Sequence, residues 1–344
     1  MIHLYLGLLL FSFLITSILV VPFINLLYRL KFQRQVQKTT DFQNKRTTIF
    51  DKFHNQKSGT PVGGGLLIIV SVCIMFLLLF PILKFSRIFI SSNYRMSHEI
   101  CILFFTFISF GLLGLYDDIF KFFGFKKTGF FGLKMVHKFI LQIIISLAIS
   151  LMIYFQLKID FIYLPFLGAI NLGVFFIPVS VIIITGFANF FNITDGLDGL
   201  SCGLLMIALF SFWILASTSL DTVNSSFLAL WRGSLIPYLY FNVYPARIWL
   251  GDVGSLSFGA TFAVIALLLG KIVPLIIVGA PFIIEGLSSA IQLFSKKYFK
   301  KKIFPAAPIH LTLQNYGWEE PKIVFRAWLA GIILAILGLW FGKN

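Results

Sequence analysis

Ten apolar stretches, each near the length that crosses a bilayer, constrain this chain more than any other feature. They cover residues 3–28, 63–84, 98–116, 136–156, 171–188, 200–217, 226–243, 254–271, 272–293 and 322–341. About 20 apolar residues span the hydrocarbon core as a helix, and inside lipid the backbone must satisfy its own polar groups. A chain that is 58% hydrophobic and 12% charged is thus expected to be all-α and polytopic. Pro178 and Pro237 interrupt stretches five and seven, a break that neighbouring helices can absorb. No repeat or separate polar block divides the chain, so residues 1–344 read as one membrane domain.

Basic residues set the orientation. Twenty-one of the 28 Lys and Arg follow stretches one, three, five, seven and nine or lie at their helix ends. By the positive-inside rule those segments are cytoplasmic and both termini face outward. The first stretch lacks a basic leader and a small-residue cleavage site, and reads as a true span. The net charge of +15 reflects this topology and attraction to anionic headgroups, not nucleic acid. Cys73, Cys101 and Cys202 sit in apolar runs without paired spacing and are expected to be buried packing residues with no disulfide framework.

With so few charges, the 13 acids are informative. The block Asn189-Phe-Phe-Asn-Ile-Thr-Asp-Gly-Leu-Asp-Gly-Leu-Ser201 spaces Asn189, Asn192, Asp195 and Asp198 three residues apart. Helical geometry would put all four on one face, a row suited to a hard cation or a polar ligand. Asp117-Asp118 closes stretch three. Adjacent carboxylates repel unless a cation sits between them, so the pair suggests a metal site or a general base. Asp252 opens stretch eight before Gly254 and Ser255, like a helix N-terminus that binds phosphate. Trp249 offers a flat surface for a base or ring, or an ordinary interfacial anchor. All five acids fall on the cytoplasmic face, where carboxylates avoid the roughly 2.5–3.5 kcal/mol cost of mid-bilayer burial. Lys57 and Thr60 in Lys57-Ser-Gly-Thr-Pro-Val-Gly-Gly-Gly65, His137-Lys138, Glu285, Gln292 and His310 complete the candidates. Glu285, ionisable within an apolar run, is expected to be functional or paired.

At these residues the chain resembles the polyprenyl-phosphate N-acetylhexosamine-1-phosphate transferases, and within them the branch whose donor carries a pentapeptide. The resemblance covers roughly residues 50–330. It rests on Lys57 with Gly59-Thr-Pro61, Asp117-Asp118 with Lys121, and Gly132-Leu133 with Lys138 and Gln142. It continues through the 189–201 block, Phe241-Asn242, Gly251-Asp-Val-Gly-Ser-Leu256, Glu285 with Ser288 and Gln292, and Ala307-Pro-Ile-His310. Gly317-Trp318, Glu320-Pro-Lys322 and Arg326 close it. Where that branch has three histidines, this chain has His310-Leu311-Thr312, which leaves the sugar donor open between the pentapeptide-bearing one and UDP-GlcNAc or another UDP-N-acetylhexosamine.

The resemblance implies ten spans, an active site on the cytoplasmic face of a bacterial inner membrane, and a homodimer. It implies transfer of phospho-N-acetylmuramoyl-pentapeptide from its UDP carrier to undecaprenyl phosphate, with Mg2+ as cofactor. Asp252 would be the principal Mg2+ ligand beside Asp117 and Asp118, and Asp117 would deprotonate or orient the lipid phosphate. Asn189, Asn192 and Asp195 would hold diphosphate and sugar, while Asp198 and Trp249 would hold uracil. Lys57, Lys138 and His310 would face phosphate, and Thr60, Asn242 and Gln292 complete the substrate-binding set. The reaction must bring together two anions. Unit charges about 4 Å apart repel by roughly 4 kcal/mol at an effective dielectric of about 20, about a thousandfold in rate. Direct displacement and a covalent intermediate both fit the residues. Two rivals are a transporter, which would place carboxylates at mid-span, and a degenerate scaffold, which the intact acids oppose.

Overall fold

The computed structural model describes residues 2–33, 59–85, 90–123 and 135–342. Its long helices are α1 (Ile2–Arg29), α2 (Gly64–Phe85), α3 (Met96–Phe123), α4 (Met135–Leu157), α5 (Phe176–Thr194), α6 (Leu200–Thr218), α7 (Thr222–Asn242) and α8 (Gly251–Leu268). They are followed by α9 (Ile272–Val278), α10 (Ala280–Tyr298), the short α11 (Ile309–Asn315) and α12 (Glu320–Gly342). Among the described residues, eight helices are long and apolar enough to cross a membrane, or nine if α9 and α10 form one span bent by 71°. The protein is an all-α, multi-pass membrane protein.

Each apolar stretch becomes helical, but two differ from a plain span. The seventh is α7, whose Asn224, Ser225, Ser226, Arg232 and Ser234 make it too polar to count as a span by hydropathy, and all five are buried inside the bundle. Arg232 lies against the Trp213 ring, 4.1 Å from its centroid, and its Nε–H donates to Leu228 O. The ninth breaks at Gly279 into α9 and α10. Neither doubtful proline interrupts a helix. Pro178 falls in the first turn of α5, where a missing N–H costs nothing, and Pro237 is accommodated within α7. A two-stranded hairpin between α4 and α5, Phe161–Leu164 paired antiparallel with Gly168–Asn171, has no counterpart in the sequence reading.

The hub is α8, buried along nearly its whole length. Small residues let its neighbours approach its backbone, the usual device for helix packing in lipid. A Cβ on Gly65 of α2 would lie 2.2 Å from Gly254 Cα, and one on Gly114 of α3 would lie 2.0 Å from Asp252 O. Deeper in the bundle Phe107, Trp231 and Phe258 interlock, with ring centroids 5.2–5.8 Å apart. On the far side of α7, Ser12 Oγ donates to Leu230 O at 2.6 Å and ties α1 to α7. These approaches bring the C-terminal ends of α3 and α5 and the N-terminal ends of α4 and α8 to one end of the bundle.

Candidate active site

That shared end holds the acids. Asp117 and Asp118 lie in the last turns of α3, only 2% exposed each, and Asp252 is in the first turn of α8. Lys121 follows Asp117 by one helical turn, which puts both on one face. Its Nζ is 3.0 Å from Asp117 Oδ2 and 2.7 Å from Asp252 Oδ2. Lys138, from the first turn of α4, contacts the same two oxygens, Asp117 Oδ2 at 3.0 Å and Asp252 Oδ2. Two carboxylates from different helices thus converge on a shared cation position. Asn192 Nδ2, near the end of α5, donates to Asp252 Oδ1 at 3.1 Å and to Ser255 Oγ at 2.6 Å.

Asp118 takes a different position. Its Oδ2 accepts the Val253 N–H at 3.0 Å, capping the start of α8, whose first N–H groups have no partner within the helix. The Cβ of any other residue at Gly251 would lie 2.7 Å from that oxygen. Gly251 has φ +77°, which favours glycine. Asp118 therefore sets where Asp252 stands.

The donor set suits a hard divalent cation. Asp117 Oδ2 and Asp252 Oδ2 both lie within 3.0 Å of one ammonium, and Mg2+ is commonly held by one or two carboxylates with substrate phosphates and water. Among the described residues, no group of three or more His, Cys, Asp or Glu is arranged to hold a metal.

The four-residue polar row divides. Helix α5 stops at Thr194 and Asp195 is its C-cap. The chain then turns through Gly196 and Gly199, the latter at φ +79°, so the expectation of one continuous helical face holds only for Asn189 and Asn192. Asn189 Nδ2 donates to Gln142 Oε1 at 2.6 Å and links α5 to α4. Asp195 Oδ1 accepts from Ser201 Oγ at 2.5 Å. Asp198 Oδ2 accepts from Ala246 N–H at 3.0 Å, and Asp198 N–H donates to Glu320 Oε1 at 2.6 Å.

Other candidates frame this centre. Residues 61–65 lie along 249–250, with Val62 bridged to Trp249 and both Gly63 and Gly64 N–H groups donating to Trp249 O. This brings Thr60 and Trp249, both partly buried, to the approach to Asp252. Asn242 Nδ2 holds the following turn by donating to Ile248 O at 2.9 Å. Gln292 clamps a loop, its Nε2 donating to Phe304 O and its Oε1 accepting from the Ile303 and Phe304 N–H groups. His310 Nδ1 is 3.0 Å from Glu285 Oε2. A Cβ on Gly196 would come 2.4 Å from His310 Nε2, so the imidazole packs on the 195–199 loop. Thr312 Oγ1 donates to Ala306 O and Leu311 is buried, so the two residues that replace histidine serve packing. Lys57 lies outside the described residues. Lys121, Ser255 and Glu320 complete the surroundings. All three stand in the motifs quoted from the sequence, but none was singled out as a site residue; Lys121 could have been, from its spacing after Asp117.

The fold is that of a multi-pass helical membrane protein, with three aspartates and two lysines gathered where its helix ends meet. The chain belongs to glycosyl transferase family 4, whose family model matches residues 100–270, the segment that carries every member of the acidic centre. It is 34% identical over 334 residues to the phospho-N-acetylmuramoyl-pentapeptide-transferase of Clostridium botulinum strain Eklund 17B, covering 97% of this chain and 95% of that one. The enzyme of the same name from Staphylococcus saprophyticus is 34% identical over 337 residues, covering 97% and 98%, and that of Caldanaerobacter subterraneus is 32% identical over 318 residues, covering 92% of each.

Proposed function

We propose that this protein transfers phospho-N-acetylmuramoyl-pentapeptide from its UDP carrier to undecaprenyl phosphate, yielding lipid I and UMP. The site would face the cytoplasm of a bacterial inner membrane, in a bundle of ten spans with both termini outside. The convergence of Asp117, Asp252, Lys121 and Lys138 at one helix-end cluster carries this reading. End-to-end similarity to enzymes of that name supports it.

In this reading an oxygen of the lipid phosphate attacks the sugar-bearing phosphorus of the donor. The bond from that phosphorus to the bridging oxygen breaks, and UMP leaves with the electron pair. Asp117 orients the lipid phosphate or accepts its proton. Lys121 and Lys138 offset the anionic charge of the donor diphosphate, and Asn192 fixes Asp252 through Oδ1. Asp117 and Asp252 would hold Mg2+, which when bound screens the repulsion between the two phosphate groups. The 195–199 loop, held by Ser201, Glu320 and His310, would receive the nucleotide-sugar side, with Trp249 stacking on uracil and Asp198 accepting its imide N–H. Lys57 would add a further cation from the segment before Thr60.

The replaced histidines keep one alternative, a UDP-GlcNAc donor. Radiolabelled transfer to undecaprenyl phosphate in detergent, comparing the two donors, separates the readings. The pentapeptide donor is expected to be used, and exclusive use of UDP-GlcNAc would overturn the assignment.

A further inference from the structure

The cytoplasmic end of α10 carries a surface that the transfer reaction does not use. Helix α10 leaves α9 at 71°, so it cannot run parallel to α9 through a bilayer. It exposes Ile284, Leu287, Ile291, Phe294 and Tyr298, each 45–61% accessible. That spacing makes a single helical stripe. The opposite side buries Phe282, Ser288, Gln292 and Ser295. The helix ends in Lys296-Lys297-Tyr298 and the chain runs on through Phe299-Lys300-Lys301-Lys302-Ile303, and no residue between Glu285 and Glu319 is acidic. Residues 297–303 are all exposed.

This segment is fixed, not a loose tail. Ser295 Oγ donates to Lys301 O at 2.9 Å, and Gln292 Oε1 accepts the Ile303 and Phe304 N–H groups at 3.0 Å each. The lysines are thus presented from an anchored turn, directly after an apolar stripe that needs lipid against it.

We propose that residues 296–303 form a docking surface for anionic phospholipid headgroups in the leaflet at the active-site end. Charge complementarity argues for anions. The interleaved Tyr298, Phe299 and Ile303, 57–66% exposed, argue for a membrane surface. There they would enter the boundary between headgroup and acyl chain, whereas a free phosphate gives them nothing to bury against.

The test reads lipid binding, so it stands apart from the proposed transferase activity. Full-length protein is placed in phosphatidylcholine nanodiscs containing a trace of dansyl-labelled phosphatidylglycerol, and tryptophan-to-dansyl energy transfer is titrated with unlabelled phosphatidylglycerol. The wild type should concentrate the probe, less so as salt rises. The triple variant Lys300→Gln, Lys301→Gln, Lys302→Gln should lose roughly a hundredfold in apparent affinity. Lys158→Gln, on an exposed turn at the other end of the bundle, should change nothing. Equal probe enrichment in wild type and triple variant would overturn the proposal. So would displacement of the probe by inorganic phosphate at a concentration that matches the lipid phosphate. A loss confined to the KM for the polyprenyl acceptor, with probe enrichment intact, would assign the lysines to the acceptor and equally overturn it.

Discussion

Asp252 meets three donors with one carboxylate. Lys121 and Lys138 share Oδ2 while Asn192 takes Oδ1, so the charge of this one residue organises side chains from α3, α4 and α5. Asp252→Asn keeps the shape and removes the charge. UMP release is expected to fall about a thousandfold, the size of the repulsion the cluster must offset, while the variant still elutes as a folded protein in detergent. Turnover within tenfold of wild type would take Asp252 out of the site. In the proposed site Glu285 would act one step away, through His310, whose Nδ1 lies 3.0 Å from its Oε2. Glu285→Gln should lower kcat/KM by about 10- to 100-fold, the worth of a hydrogen bond to a charged group. His310→Gln on that background should add little, because residues acting as a unit are not additive. Full additivity would mean that the two work separately. At this scale the sequence is legible where chemistry needs a rare residue: five acids at apolar helix ends pointed to the site. It named Asp118 and Glu320 but could not show their contacts, which geometry alone sets: Asp118 accepts the Val253 N–H and Glu320 accepts the Asp198 N–H.

Elements meet at this site because their backbones can approach closely. Gly114 sets α3 against the carbonyl of Asp252, and Gly65 sets α2 against Gly254. A methyl group at Gly114 would strike backbone, which cannot swing aside as a side chain can. Gly114→Ala is expected to destabilise the protein by about 1–3 kcal/mol and to depress turnover by shifting Asp117 relative to Asp252. Gly7→Ala in α1, where a Cβ meets nothing within 4 Å, is the matched control and should leave the melting temperature unchanged or slightly raised. A melting temperature unaltered by Gly114→Ala would show that α3 and α8 are not held in this register. Apolar length marked the helices because lipid leaves few alternatives. It could not mark the break at Gly279 or the hairpin over 161–171, which depend on tertiary contacts. Nor could it show that Asp195 caps α5 instead of extending its polar face, since a three-residue spacing looks the same on a helix and across its end.

For the whole molecule, the sided distribution of charge matters most. The acidic centre, the 195–199 loop, the Glu285–His310 pair and the lysines after α10 occupy one end of the bundle, the end at which most Lys and Arg of the described residues lie. Positive segments stay on the cytoplasmic side during insertion, and a UDP-linked donor is too polar to cross the bilayer. Both constraints require the same leaflet, so the orientation can be tested through activity alone. Inside-out vesicles given external UDP-linked donor should form lipid product at once. Sealed right-side-out vesicles should form none until a detergent or a pore opens them, and then reach the same rate. Lipid product from sealed right-side-out vesicles, with none from sealed inside-out ones, would place the acidic centre at the outer face. The proposed topology would then be inverted, with both termini on the cytoplasmic side.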